Sequence, residues 1–390
     1  MDFGESEMEQ AVRTGLREIT DAYDRDYWRS VRNEGRQPDE FRADLADQGW
    51  LGIMVPEEYG GQGLGLQEAA IMAEELGRSG GGRTATNLGL TACMYGGGLL
   101  PQHGSAEQQA EWLPRLASGE AEWAIGVTEP NAGLNTTNIE TTATQEGDEY
   151  VIDGHKQWTT GIDTADRVAL LARTLSPEDA DSRGHGLTIF LVDPDDPGIE
   201  YEEIPIDTYH HHPSFTVHID GVRVPERAIV GEKHRGLYHF FSGLNIERTY
   251  IAASVYGIGS HVLERTCEYA NDREVFDAPI GSHQAIQHPL ADAYADLECA
   301  GLMVRRAAWL YDSDSEAAGG PANIANLKAA EAAWAACEAA MTTFGGMSIS
   351  SELGMTKYWE EVRHMRTAPV SEELIRNYIA EHELGLPRSY

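Results

Sequence analysis

Apolar residues recur at helical spacing through the first third of the chain. "EQAVRTGLREITDAYDRDYW" (9–28) and "LQEAAIMAEELGR" (66–78) show this pattern, and "SAEQQAEWLPRLASG" (105–119) opens like a capped helix, with Ser105 ahead of acids and amides. Near residue 121 the period shortens. "EYVIDGHKQWTTG", "RVALLART", "LTIFLVD" and "FTVHIDGVRVP" are short β-branched or alternating runs divided by Gly, Asp and Pro, which predicts strands. "LSPEDADSRGHG" reads as a polar loop between two of them. From about residue 237 the helical period returns and continues nearly to the end, with long Ala-rich runs such as "NIANLKAAEAAWAACEAAMTTF" and a turn at "YDSDSEAAGGPA". Helices, then strands, then helices predict an α+β protein rather than a βαβ-wound sheet, with domains at 1–120 (helical), 121–236 (β) and 237–390 (helical). In "GLNIERTYIAASVYGIGSHVLERTC" (243–267), Leu244, Ile251, Val255, Ile258 and Val262 form one apolar stripe, and Glu247 lies beside that stripe. An acid against a core needs a reason.

Charge narrows the picture. The chain has 390 residues and a net charge of −35, from 64 acids against 29 basic residues. The basic residues are nearly all arginine; the lysines are Lys156, Lys233, Lys328 and Lys357. Acid excess with little lysine along the whole length suggests a surface adapted to high salt, the alternative being an ordinary acidic protein. Such a field repels nucleic acid and anionic membranes. No apolar run approaches the ~20 residues that span a bilayer, and the acidic start "MDFGESEMEQ" lacks a secretory core, so the expectation is a cytoplasmic protein without membrane insertion. Cys93, Cys267, Cys299 and Cys337 are far apart, which suits neither a zinc site nor a disulfide scaffold.

Two motifs mislead. "YGGQGLG" (59–65) resembles a dinucleotide turn but lacks the third glycine and a βαβ setting, so a structural turn is the better reading. His210, His211 and His212 are adjacent, point in different directions and have no second ligand cluster; no metal is expected.

Three segments carry a resemblance. "WAIGVTEPNAGLNTTNIETTATQEGDEYVIDGHKQWTTG" (123–161) resembles the acyl-CoA dehydrogenase signature, a TEP-x-A-G turn followed by a strand and W-x-T. "FTVHIDGVRVPERAIVG" looks like that family's exit from its β domain, and "YANDREVFDAPIGSHQAIQHPLAD" like its R-x-x-F…Q helix pair. The resemblance runs end to end. It implies an N-terminal helical domain, a central β-barrel-like domain and a C-terminal four-helix bundle, assembled as a homotetramer. It also implies FAD, an acyl-CoA substrate in fatty acid metabolism, and an electron-transferring flavoprotein as electron acceptor. On this resemblance Ile125, Val127, Thr128, Gly133 and Leu134 meet the cofactor, Trp158 packs on the flavin and Thr160 donates toward its N5. Arg273 meets the pyrophosphate, Phe276 and Gln284 flank the adenosine across a subunit interface, and Thr342, Gly345, Gly346 and Ser371 complete the set. Leu134 and Arg248 are assigned to substrate. Taken from the residues alone, Trp158 reads rather as a core tryptophan and Arg273 as a surface arginine, readings that the motif reverses, while Gly345–Gly346 have a helix cap as their alternative. The chain departs from the family at Leu134 (often Ser), Thr342 (often Gln) and Glu360–Glu361 (often Arg-Asp).

The general base is the sharpest case. Many members carry it in an E-G-T turn, which in register falls on Pro369, Val370 and Ser371; proline cannot accept a proton. A second subset, including isovaleryl-CoA and long-chain acyl-CoA dehydrogenases, keeps its base in a motif resembling L-x-x-E-R. Here that is Leu244, Asn245, Ile246, Glu247, Arg248. Glu247 is therefore the expected catalytic base, against the alternative of a Glu247–Arg248 pair solvating a helix end. An enoyl-CoA reductase running the reverse reaction and a catalytically silent FAD-binding assembly subunit stay open; an acyl-CoA oxidase usually carries a further domain. "TACMYGGGLLP" (91–101) is expected to line the acyl end, its glycines leaving room there.

Overall fold

The structure is a computed structural model and describes residues 4–208 and 212–389. His210 and His211 lie outside them. In chain order the helices α1 (Glu7–Thr20), α2 (Arg25–Glu34), α3 (Asp39–Asp47), α4 (Leu66–Arg78), α5 (Arg83–Thr91), α6 (Leu100–His103) and α7 (Ala106–Ala117) come first. Strands β1 (Trp123–Gly126), β2 (Thr142–Glu146), β3 (Glu149–Thr160), β4 (Arg167–Arg173), β5 (Leu187–Val192), β6 (Ile199–Glu203), β7 (Ser214–Pro225) and β8 (Ile229–Val230) follow. Helix α8 (Gly236–Asp272) leads through the short hairpin β9 (Glu274–Val275) and β10 (Ala278–Pro279) to α9 (Gln284–Asp312), α10 (Gly319–Phe344), α11 (Met355–Met365) and α12 (Glu372–Tyr378). The expected α+β order is thus observed.

Two compact units result. One takes Met1–Leu45, Leu64–Leu90 and Asn245–Tyr390, the other Ala46–Gly63 and Thr91–Leu244.

The second unit holds an eight-stranded sheet in the order β6-β7-β3-β2-β4-β5-β8, with β1 added in parallel to β4. Strand β5 is buried at every position, which explains why "LTIFLV" is a continuous apolar run rather than an alternating one. Ile152, Leu170, Phe190, Val217 and Ile219 form one core. Trp112, Trp123, Leu171 and Ile189 belong to a second, which α7 helps to close. Ser105 caps α7 through a reciprocal box with Gln108. The glycines of 91–101 do not leave room. The chain there is wound as a wide π-type segment, Ala92–Leu99, and a Cβ at Gly96 or Gly97 would fall 2.7 Å from Val55 Cγ2 or 2.5 Å from Met54 Cβ. They admit neighbouring side chains instead.

The first unit is helical. Arg13 on α1 pairs with Glu5 and with Glu74 and Glu75 on α4, fastening the two helices. Asp312, at the end of α9, accepts from Leu66 N (2.7 Å) and Gln67 N (3.0 Å) and so caps α4, whose own N-cap is Gly65 and has no side chain to offer. Helices α4 and α8 approach closely: a Cβ at Gly77 would meet the Ser254 carbonyl, and one at Gly257 the Glu74 carbonyl. The 59–65 stretch is a structural turn, with Gly60 and Gly63 at φ 84° and 61°. Among the described residues no helix is long and apolar enough to cross a membrane, and no three His, Cys, Asp or Glu gather as a metal set.

Candidate active site

In the sheet unit, one bulge organises the residues singled out from the sequence. The β3–β7 pairing runs Lys156↔Val217 and then Thr159↔Phe215, so β3 carries an extra residue there. Trp158 stands in that bulge at φ 62°, a left-handed conformation that a tryptophan adopts only when its neighbours impose it. Its indole is 51 % exposed, which excludes the core reading. Gln157 N donates to Thr128 O (2.8 Å), tying the bulge to the turn after β1. Val127, Thr128, Trp158 and Thr160 are thereby brought together, with Ile125 half-buried on β1 beneath. Thr160 Oγ1 lies 2.8 Å from Ser214 Oγ, a bond in which either hydroxyl donates. Gly133 and Leu134 lie on the exposed part of the turn, Leu134 with 62 % of its surface open.

A buried ion pair supports this turn. Lys156 Nζ is 2.7 Å from Glu129 Oε1 and donates to Val127 O (3.2 Å). Glu129 also accepts from Glu140 N (2.6 Å) and Thr141 N (3.0 Å). Burial lowers the Lys156 ammonium to about 8, with Glu129 opposing. Burial works against the Glu129 charge too, but Lys156 and the backbone donors hold its carboxyl below the usual range. The sequence signal for this pair was the scarcity of lysine: one of the few is spent on a strand interior.

In the helical unit, Glu247 lies on α8 between the fully buried Ile246 and the buried Thr249 and Tyr250. Burial raises its carboxyl from 4.5 to about 7, against the pull of Arg248 and Arg83. Arg248 Nη1 donates to Asn245 Oδ1 (3.2 Å), and residues 247 and 248 lie well inside α8 rather than at a helix end. Arg83 was missed from sequence. It opens α5, and its backbone N donates to Glu361 Oε2 (3.0 Å). Glu361 is buried 4.0 Å from Lys357, whose Nζ donates to Gly81 O (3.0 Å). Glu361, an acid where the family often has Asp, thus supplies the carboxylate that accepts at the start of α5.

The E-G-T register is occupied structurally. Ser371 caps α12 by accepting from Leu374 N (3.3 Å). Glu372 is held by Arg366 and by Arg376 (3.0 Å), which keep its carboxyl low; Glu373 is exposed. Arg273 and Phe276 lie at the exposed hairpin between α8 and α9, with Phe276 at φ 55° and 90 % exposed, and Gln284, also exposed, opens α9. Gly345 ends α10 at φ 56°; Thr342, Gly345 and Gly346 are exposed, and nothing lies within 4 Å of a Cβ at either glycine. The rings of Tyr269 and Phe344, 4.4 Å apart, join the ends of α8 and α10.

These residues fit a flavin nucleotide. Within the sheet unit, an uncovered indole with threonine hydroxyls beside it and open space over Gly133 and Gly161 suit an isoalloxazine; within the helical unit, taken by itself, an exposed arginine near an exposed phenylalanine suits a nucleotide's phosphates and base.

Comparison with known proteins agrees. Sequence models of the N-terminal, middle and C-terminal domains of acyl-CoA dehydrogenases match residues 6–120, 124–222 and 234–384. The chain is 36% identical over 389 residues to acyl-CoA dehydrogenase FadE12 of Mycobacterium tuberculosis, covering 100% of this chain and 99% of that one. It is 33% identical over 391 residues to the probable acyl-CoA dehydrogenase YngJ of Bacillus subtilis, covering 98% and 100%. Among solved structures, a glutaryl-CoA dehydrogenase in complex with glutaryl-CoA superposes with a TM-score of 0.90 at 26% identity, covering 100% and 98%. PigA, solved with FAD and proline, gives 0.90 at 27%, covering 99% and 100%.

Proposed function

Because the chain belongs to the acyl-CoA dehydrogenase family, we propose that it removes two hydrogens from C2 and C3 of an acyl-CoA thioester, with Glu247 as the base. The observation that carries this reading is the position of Glu247: a half-buried carboxylate on α8 beside the buried Ile246, Thr249 and Tyr250, where loss of solvent lifts it to about 7, near the value at which a general base works best. Glu372, the nearest acid to the E-G-T register, is bound to two arginines and has no free basicity.

FAD, when bound, supplies the acceptor for the hydride from C3. The chain's own residues do the rest. Val127, Thr128 and Thr160 offer donors to the flavin edge, and Trp158 covers it and excludes water. Glu247 takes the C2 proton, and Arg248 and Arg83 temper its basicity. Arg273, Phe276 and Gln284 serve the nucleotide end of a neighbouring subunit's FAD, which makes the working form an oligomer, in the first instance a homotetramer. Arg273 is exposed and has no carboxylate partner among the described residues, as a phosphate-binding arginine of such an interface requires. An electron-transferring flavoprotein is the assigned acceptor.

A panel of acyl-CoAs of graded length and branching, added anaerobically to the yellow protein, tests the reading. Bleaching of the flavin by at least one saturated thioester is expected. Bleaching by none, with enoyl-CoA oxidising the reduced protein instead, would make it a reductase; no response to either would make it a silent subunit. Sedimentation showing a stable flavin-loaded monomer would remove the role in trans given to Arg273.

A further inference from the structure

The helical unit contains a cationic cavity that the dehydrogenation reaction does not use. Its volume is about 460 Å³, open mouth included, and its walls come from α2, the end of α4, the middle of α8 and the segment from Ser351 to Tyr358. Arg25, Arg32, Arg265, Trp28, His261 and Lys357 line it. In a chain of net charge −35, with more than two acids per basic residue, such a concentration is contrary to composition.

The arginines are not neutralised. Arg32 Nη2 donates to Ser351 O (3.3 Å) and Arg265 Nη2 to Leu353 O (3.1 Å), both neutral carbonyls. Arg25 is exposed, and none of the three has a carboxylate within ion-pair distance among the described residues. Arg13, by contrast, is shared among three glutamates. The acids near the cavity are few: Asp26 is taken by Arg29 (3.2 Å), Glu361 faces Lys357 (4.0 Å), Glu352 is exposed on the wall, and Glu268 acts on Arg265 through space without forming an ion pair with it.

A second observation is independent of charge. Trp28 is 4 % exposed and its indole Nε1, wholly buried, finds no acceptor. A buried donor left unmet costs about 1–3 kcal/mol, a cost carried here by a residue of the cavity wall. His261 reports the same field: burial, with Arg265 and Lys357 adding to it, holds its imidazole near 3, so it is neutral there.

We propose that this cavity binds a phosphate- or diphosphate-bearing small molecule, clamped by Arg32 and Arg265 with Arg25 at the mouth. Guanidinium forks match phosphate oxygens two at a time, and three of them around one cavity call for more acceptor oxygens than a single carboxylate has.

Calorimetric titration of the flavin-loaded protein with inorganic pyrophosphate, at fixed KCl, tests this. One saturable site per chain is expected. Arg32→Gln or Arg265→Gln should weaken it at least about tenfold, the loss of one charge-assisted bond, while Arg36→Gln, just beyond the end of α2 and outside the cavity lining, should not. A parallel titration with ADP separates a nucleotide site, where ADP binds tighter, from one that recognises phosphates alone. A readout in the unmodified chain guards against misfolded variants: pyrophosphate should protect Arg25, Arg32 and Arg265, but not Arg36, from phenylglyoxal, mapped by mass spectrometry. No saturable binding of either probe, or protection that spares these three arginines, would overturn the proposal.

Discussion

At the scale of single residues, Glu247 sets two opposite pH dependences. Its carboxyl is lifted from 4.5 to about 7 by burial. The base form fills as pH rises through about 7, so the rate of flavin reduction by substrate should climb over that window and then level. Stability should fall over the same rise, from about pH 4.5 to 7, because the folded chain keeps a proton that the unfolded chain has released. Glu247→Gln should abolish both slopes and cost ~10²–10⁴-fold in flavin reduction, with flavin content retained. Stopped-flow reduction and thermal melts across pH measure the two effects; a Glu247→Gln protein reduced at the native rate would move the base elsewhere. Lys156 acts differently. Lys156→Met would strand Glu129, 5 % exposed, without its cation, which costs on the order of 3–5 kcal/mol. Urea melts should show that loss, and flavin should dissociate more readily because Val127 O loses its anchor.

At the scale of elements, the cap on α4 is borrowed. Asp312→Ala should remove the acceptor for Leu66 and Gln67 N–H and cost about 1–2 kcal/mol, read as a lower urea midpoint at unchanged slope. No local pattern announced this cap, because its two halves are 245 residues apart. Elements with a strong period were legible: α4 and α7, and the strands β3, β4, β5 and β7, fall where the apolar pattern puts them. Strands β1, β2 and β6 were not. β1 has four residues, β2 reads "TATQE" and β6 "IEYEE", too short or too polar to show a period. The residues around Trp158 were legible as a motif but not as a bulge, since the extra residue exists only relative to β7. Glu247 could be singled out because it breaks the stripe of α8. Arg83, Lys357 and Glu361 could not, because their relation to one another is made entirely by tertiary packing.

At the scale of the whole molecule, charge is the governing quantity. A net −35 repels itself, and the Debye length grows from ~3 Å at 1 M to ~30 Å at 0.01 M salt. The melting temperature should therefore rise from low to molar KCl, and a flat or falling trend would remove the salt-adapted reading. The division of the chain has a different consequence, one that concerns its order of assembly. The sheet-bearing unit is nearly one continuous stretch, Thr91–Leu244, so most of it can condense as soon as it leaves the ribosome. The helical unit is built from both ends of the chain. Helices α1 and α4 emerge early, yet α8 and α9, against which α4 packs, follow only after the sheet-forming stretch. Their apolar faces must wait, exposed, while the whole intervening stretch is synthesised, and closing that separation is the slow, loop-entropy-limited event. The acid-rich surface then has a second use: like charges on nascent chains keep those waiting helices from finding one another before their own C-terminal partners arrive.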